Sequence, residues 1–168
     1  MNIKAVLSDV DGVMNDGVIF IDSEGQESVK AFHVKDGMGI KMLQQSEIPF
    51  GVISGRSCDA LIARMNQLGA YDLYLGKRHK QESFEHFLDK YDLKASEVAY
   101  IGDDLNDIVL MDIVNLAGGL SACPIDAVQK VKDVAQLQLN TRGGHGVLRE
   151  LIDLVLDQSI NTDTAIQE

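Results

Sequence analysis

Cysteine is scarce in this chain: only Cys58 and Cys123 occur among 168 residues. So low a count excludes a disulfide scaffold and predicts two reduced core thiols in a cytoplasmic protein. No apolar run approaches about 18 residues, which excludes a membrane-spanning helix. No basic segment precedes the first apolar stretch, which argues against a secretory leader. Basic residues are also outnumbered, with 15 Lys and Arg against 26 Asp and Glu and a net charge of −11. Nucleic-acid-binding surfaces are typically basic, so that class of partner is excluded, and an anionic small molecule would need a locally basic site. Internal repeats, low-complexity tracts and linkers are absent. The histidines at 33, 79, 86 and 145 are scattered and form no recognisable metal-binding pattern.

What is present is a 45% hydrophobic chain in which short apolar runs alternate with helical patterns. That alternation predicts one α/β domain over residues 1–158, followed by a polar, mobile tail over 159–168. Strands are expected at 3–7, 49–53, 71–75, 98–101 and 115–117, with a weak one near 134–137. Helices are expected at 37–45, 57–68, 80–91, 105–113, 124–131 and 146–157. Two apolar stretches, 18–21 and 28–33, flank Asp22-Ser-Glu-Gly25 and read as a β-hairpin.

The chemistry is concentrated at the ends of the apolar runs. Asp9-Val-Asp-Gly-Val13 follows Ile3–Leu7 and places two carboxylates two residues apart on a turn. Gly102-Asp-Asp-Leu-Asn-Asp107 follows Val98–Ile101, Ser54-Gly-Arg56 follows Pro49–Ile53, and Lys80 opens a helical stretch. Each motif alone also reads as a solvated turn or a helix N-cap. In an open parallel sheet, however, the carboxyl ends of the strands face one crevice, where ligands bind. Acids gathered there repel one another, and a hard divalent cation such as magnesium is the natural filler. Lys35, Lys41, Arg56, Arg64, Lys77, Arg78 and Lys80 are the candidate cations for an anionic ligand. Arg56 and Lys80, just after strand ends, carry the most weight. Arg64 follows Arg56 by about two helical turns, a spacing that fits either a shared face or an ordinary exposed arginine.

With these motifs the chain resembles the haloacid dehalogenase superfamily of phosphohydrolases, whose pattern is D-x-D, Ser or Thr, Lys, then G-D-D-x-x-D. Within it the chain is most similar to the 3-deoxy-D-manno-octulosonate-8-phosphate (Kdo-8-phosphate) phosphatases. The resembling stretches are 9–17, 32–43, 52–56, 75–80, 99–107 and 142–150. The resemblance implies a Rossmann-like three-layer α/β/α sandwich with a mainly parallel sheet and a hairpin excursion. There is no room for an inserted cap domain, either between the first motif and the first major helix or between Arg56 and Lys80. It also implies a homotetramer in which the hairpins associate and a neighbouring subunit roofs each site, with Val18, Phe20, Val29 and Ala31 as candidate contacts. A hairpin packed on its own core fits the same pattern.

The roles implied by the resemblance fall on matching positions. Asp9 is the nucleophile, Asp11 the general acid and base, and Ser54 and Lys80 bind the transferring oxygens. Magnesium is held by Asp9, Asp11 and Asp103, while Asp104 and Asp107 orient metal waters or Lys80. Asp11, His33, Val34, Lys35, Asp36, Gly37, Lys41, Arg56, Arg64 and Lys80 face the substrate, an anionic sugar-acid phosphate. Arg56 suits Kdo-8-phosphate, since arginine pairs bidentately with a carboxylate and relatives preferring nine-carbon sugar acids tend to carry Glu there. Lys41 departs from the arginine often seen at its position, and the run Lys77-Arg-His79 has no derivable purpose. A phosphatase of a nine-carbon sugar-acid 9-phosphate, a phosphotransferase or mutase, and a non-catalytic oligomerisation module are the alternatives.

Overall fold

The structure, a computed structural model, describes residues 2–76 and 79–164. Six parallel strands form one sheet in the order β3-β2-β1-β4-β5-β6: Ala5–Ser8 (β1), Phe50–Ser54 (β2), Asp72–Leu75 (β3), Val98–Ile101 (β4), Leu120–Cys123 (β5) and Leu137–Gln138 (β6). Six helices join and cover them: Val34–Gln45 (α1), Asp59–Leu68 (α2), Lys80–Tyr91 (α3), Ile108–Ala117 (α4), Gln129–Val134 (α5) and Val147–Thr164 (α6). The arrangement is the expected Rossmann-like α/β sandwich, and the described residues include no cap domain.

The central strands are almost wholly apolar because both faces of the sheet are covered. Successive residues point to opposite faces, so each strand feeds two cores. Val6, Val52, Ala99 and Ile101 join one core with Ile40, Leu43, Leu61 and Leu148 from α1, α2 and α6. Ala5, Leu7, Val98 and Tyr100 join the other with Phe84, Phe87, Leu110, Met111 and Val131 from α3, α4 and α5. Cys123 is buried, Cys58 is half-buried, and both are free thiols.

From β1 the chain moves outward through β2 and β3, then returns to the other side of β1 for β4. The connections therefore diverge at the carboxyl ends of β1 and β4, the switch point at which such sheets bind ligands. Asp9 and Asp103 follow those two strand ends directly.

Three expectations are corrected. Residues 115–117 are the last turn of α4, closed by Gly118, and the strand begins only at Leu120. The apolar run had hidden a helix whose buried positions are Leu110, Met111 and Val114. The helix expected at 124–131 begins at Gln129, because Ile125 and Val128 donate their backbone N–H groups to Thr141 and Asp103 rather than to a helix. The hairpin is reduced to one antiparallel bridge, Phe20 with Val29, and a turn in which Asp22 accepts from Gly25. In addition, α6 continues past residue 157 to Thr164. Of the described helices, none is long and apolar enough to cross a membrane.

Candidate active site

The centre of the site is built by strand ends. The Asp9 N–H donates to the Ile101 carbonyl at 2.9 Å, tying the first loop to β4. Its Oδ1 accepts from the Val10 N–H at 2.7 Å and lies 3.1 Å from Lys80 Nζ. Lys80, the first residue of α3, is 1% exposed, and its ammonium also donates to Asp107 Oδ1 at 2.6 Å. Tyr100 from β4 donates its hydroxyl to the same oxygen at 2.5 Å. The other oxygen of Asp107 accepts the N–H groups of Asp103 and Asp104, at 2.9 and 3.2 Å. Asp107 therefore holds Lys80 and shapes the Asp103 loop at once.

Around this centre lies a small polar cavity of about 170 Å³ lined by Asp9, Asp11, Ser54, Gly55, Arg56, Asp103, Asp104 and Asn106. Gly12 makes it possible: at φ +87° its backbone takes a left-handed turn, and a Cβ there would sit 1.9 Å from Asp103 Oδ2. The 142–146 loop braces the turn from behind. A Cβ at Gly143 would come 2.0 Å from the Gly12 carbonyl oxygen, and the Gly144 N–H donates to the Val13 carbonyl at 2.8 Å. Asp126 holds that loop by accepting from Gly143 N–H and Arg142 Nε, at 3.0 and 3.3 Å.

The electrostatics point to a cation. Carboxylate oxygens of Asp9, Asp103 and Asp107 lie within 4.8 Å of one another. Burial, with Asp107 nearby, pushes the Asp9 carboxyl up to about 7 despite Lys80. Burial and the charges of Asp9, Asp107 and Asp104 push Asp103 up to about 8. Asp103 Oδ1 is buried with no hydrogen-bond partner. Oxygen donors short of positive charge, one of them orphaned, fit a hard divalent ion such as magnesium. Asp9 and Asp103 are the carboxylates free to hold it, since both oxygens of Asp107 are engaged. Lys80 stays charged: burial opposes its proton, but Asp9 and Asp107 more than offset this and raise its pKa.

Of the residues singled out in the sequence, Asp9, Asp11, Ser54, Arg56, Lys80 and Asp103 come together here. Ser54 is buried, and its Oγ accepts from the Arg56 N–H at 3.2 Å. His33, Val34, Lys35, Asp36, Gly37, Lys41 and Arg64 do not line the cavity of this chain. His33 caps α1, with its Nδ1 accepting from the Lys35 N–H, and Val34 is 76% exposed. Asp36 is buried and accepts the Arg149 N–H at 2.8 Å, at the start of α6. Arg64 lies against Gly37, where a Cβ would come 2.6 Å from its Nη2. It shares no helical face with Arg56, which precedes α2 altogether. Lys41 Nζ approaches Gly69, at the end of α2 and on the opposite edge of the sheet from the site. Lys77 and Arg78 lie outside the described residues.

Sequence reasoning missed Lys30, Glu27, Asn15 and Tyr100. Lys30 pairs with Asp11 Oδ1, and at 2.8 Å with Glu27 Oε1. Glu27 Oε2 accepts from Arg56 Nη2 at 2.8 Å, and Arg56 Nε lies 3.6 Å from Asp11 Oδ2. Asn15 donates to Asp11 Oδ1 at 2.8 Å. Nothing in an exposed polar stretch marks Glu27 or Lys30 as inward-facing. The three-residue spacing of Asp104 and Asp107 was the available signal for the loop they brace.

Residues 34–110 match the family model of the haloacid dehalogenase-like hydrolases. The chain is 40% identical over 155 residues to 3-deoxy-D-manno-octulosonate 8-phosphate phosphatase of Haemophilus influenzae, covering 92% of this chain and 83% of that one. The crystal structure of the Yersinia pestis phosphatase of the same name superposes with a TM-score of 0.87 at 40% identity, covering 92% of this chain and 81% of the other. The Moraxella catarrhalis phosphatase, solved with magnesium, phosphate and KDO, superposes with a TM-score of 0.87 at 34% identity, covering 98% and 91%. With this identity covering more than nine-tenths of this chain and more than four-fifths of each relative, and with the D-x-D, Ser, Lys and G-D-D-x-x-D motifs meeting at one site, the chain belongs to the 3-deoxy-D-manno-octulosonate 8-phosphate phosphatase family of haloacid dehalogenase-like hydrolases.

Proposed function

We propose that this chain is a magnesium-dependent phosphomonoesterase that hydrolyses Kdo-8-phosphate to Kdo and inorganic phosphate, in the supply of lipopolysaccharide precursor. The observation that carries the reading is the pairing of the Asp9–Asp11 turn with Asp103 across the switch point, with one Asp103 oxygen buried and unpartnered. Magnesium, held by the carboxylates of Asp9 and Asp103 and the carbonyl of Asp11, supplies positive charge that offsets repulsion between carboxylate and phosphate.

Asp9 is the nucleophile. Its Oδ1 is fixed by Val10 N–H and Lys80, so the carboxylate meets phosphorus in one orientation. Attack forms the Asp9–phosphorus bond and breaks the bond from phosphorus to the sugar oxygen. Asp11 gives its proton to the departing alkoxide, then takes one from the water that attacks the aspartyl phosphate and releases Asp9. Lys80 and the Ser54 hydroxyl bind the transferring oxygens. Arg56, at the rim of the same cavity, pairs with the sugar-acid carboxylate.

The active assembly is a homotetramer in the cytoplasm. The support is the apolar surface of the 18–29 stretch, where Val18, Phe20, Ile21 and Val29 are each more than half exposed. In such an assembly His33, Val34, Lys35 and Lys41, which miss the cavity of their own chain, are candidates for reaching a neighbour's. Sedimentation of the protein as a monomer would overturn the tetramer.

The deciding experiment is phosphate release with magnesium from Kdo-8-phosphate, a nine-carbon sugar-acid 9-phosphate and simple sugar phosphates. Kdo-8-phosphate is expected to be preferred, with activity lost in excess EDTA and restored by magnesium. Preference for the nine-carbon acid would keep the chemistry and overturn the substrate. No release from any of them would return the non-catalytic reading.

A further inference from the structure

The stretch between the Asp9 loop and α1 carries a buried cation to which the reaction above gives no task. The Lys30 side chain is only 2% exposed, although its neighbours Ser28 and Val29 are exposed. Its ammonium meets Asp11 Oδ1 on one side and Glu27 Oε1, at 2.8 Å, on the other. Burial opposes its charge, and hydrogen bonds to Asp11 and Glu27 outweigh that cost. Glu27 is itself held at 2.8 Å by Arg56, and Asn15 adds a second donor to Asp11 Oδ1 at 2.8 Å. Asp11, which lines the cavity, is thus gripped on one oxygen by Lys30 and Asn15, while its Oδ2 lies 3.6 Å from Arg56 Nε.

Removing an ammonium from water is costly unless every partner is in place. No apolar packing requirement calls for a lysine here, and an exposed arm could have carried it outward. What the burial achieves is a fixed carboxylate. A general acid must lie within hydrogen-bond reach of the leaving oxygen, and a displacement of about 1 Å can cost on the order of 10²-fold in rate.

We propose that Lys30, braced by Glu27, is a positioning residue that holds Asp11 by Oδ1 so that the protonated Asp11 carboxyl, carrying its proton on Oδ2, is oriented to give that proton to the leaving sugar oxygen. The proposal rests on the phosphatase reading and assigns the 27–30 stretch a part in the reaction apart from any role in assembly.

The test compares Lys30→Met with the unmodified enzyme on two substrates. One is Kdo-8-phosphate, whose alkoxide leaves only with a proton. The other is para-nitrophenyl phosphate, whose acidic phenol departs without one. The measure is kcat/KM, which covers events up to phosphoryl transfer to Asp9 and leaves out the later activation of water. The loss on the sugar phosphate is expected to exceed that on the aryl phosphate by about 30-fold or more, within the 10²–10⁴-fold span of general acid catalysis. Lys30→Arg, which keeps the charge, is expected to recover part of that difference.

Equal losses on both substrates, the mark of a merely structural residue, would overturn the proposal, as would an undiminished rate on the sugar phosphate. If the unmodified enzyme instead favours another alkyl phosphate, it is the substrate reading that fails. The same comparison, run with that phosphate, then decides the role of Lys30.

Discussion

The centre of the site and its rim are held by different means. Asp9, Ser54, Lys80, Asp103 and Asp107 sit on or beside the ends of strands and a helix, and their contacts run through β1 and β4. The rim, residues 15–33, has a single antiparallel bridge and a set of ion pairs, with Val18, Phe20, Ile21 and Val29 turned outward. A strand end buried on both faces has few alternative conformations, so it holds the carboxylates of Asp9 and Asp103 at fixed separation. An arm with little core of its own depends on specific charges, here Lys30, Glu27 and Arg56, to keep its shape. The two meet where Lys30 of the arm pairs with Asp11 and Glu27 pairs with Arg56.

The comparison can be broken or sharpened by substitution. Asp9→Asn should lower phosphate release by on the order of 10³-fold or more while the circular dichroism spectrum stays that of the unmodified protein. Substantial residual turnover by a folded variant would sink the nucleophile assignment. Lys80→Met strips the buried pair Asp9 and Asp107 of its cation, so it should cost about 3–5 kcal/mol of stability as well as activity. Urea unfolding reads this directly, and an unchanged midpoint would mean that the network is not what braces the centre.

Outside the centre, at Arg56, which pairs with Glu27 of the rim, and at Asp36 in α1, the expected effects are smaller and selective. Arg56→Ala removes a charge-assisted contact of about 1.5–3 kcal/mol, which predicts KM for Kdo-8-phosphate raised by roughly 10- to 100-fold. Simple sugar phosphates without a carboxylate should be little affected. A uniform rise across all substrates would deny Arg56 its reading of the carboxylate.

Asp36 gives the smallest effect and carries a pH signature. Burial pushes its carboxyl from 3.8 up to about 6. The folded state therefore binds the proton more tightly than the unfolded one, and stability should fall as pH rises from about 4 to about 6, then level off. Asp36→Asn keeps the acceptor for the Arg149 N–H and removes the charge. Above pH 6 it should gain stability, by no more than the roughly 3 kcal/mol that the displacement from 3.8 to about 6 represents. Thermal melts across this range, beside KM, separate a helix cap from a substrate contact. A large KM change at constant stability would favour the contact.

Motif residues were legible because each chemical group follows an apolar run that can only be a buried strand, and parallel strands bring their carboxyl ends to one edge. The 98–101 strand and the 80–91 helix stand where hydrophobic period and flanking residues put them. The strand expected at 115–117 failed because an apolar run of that length suits helix and strand equally, and only packing against β4 and β5 decides. The expectation that 33–37, with Lys41 and Arg64, faces the substrate came only through resemblance, and these residues do not line the cavity of this chain. A residue's sequence position does not reveal whether its side chain caps a helix, as His33 and Asp36 do, or enters a cavity.

By itself, the sequence determined the fold class and singled out the acids Asp9, Asp11 and Asp103 that gather at the strand ends, because these depend on local patterns and on the charge of the groups placed there. Only the tertiary structure decided which cations meet which acids. Lys30 reaches Asp11 across 19 residues and Lys80 reaches Asp107 across 27. Such pairings depend on how the loops close in space and on the burial that makes an unpartnered charge too costly to keep.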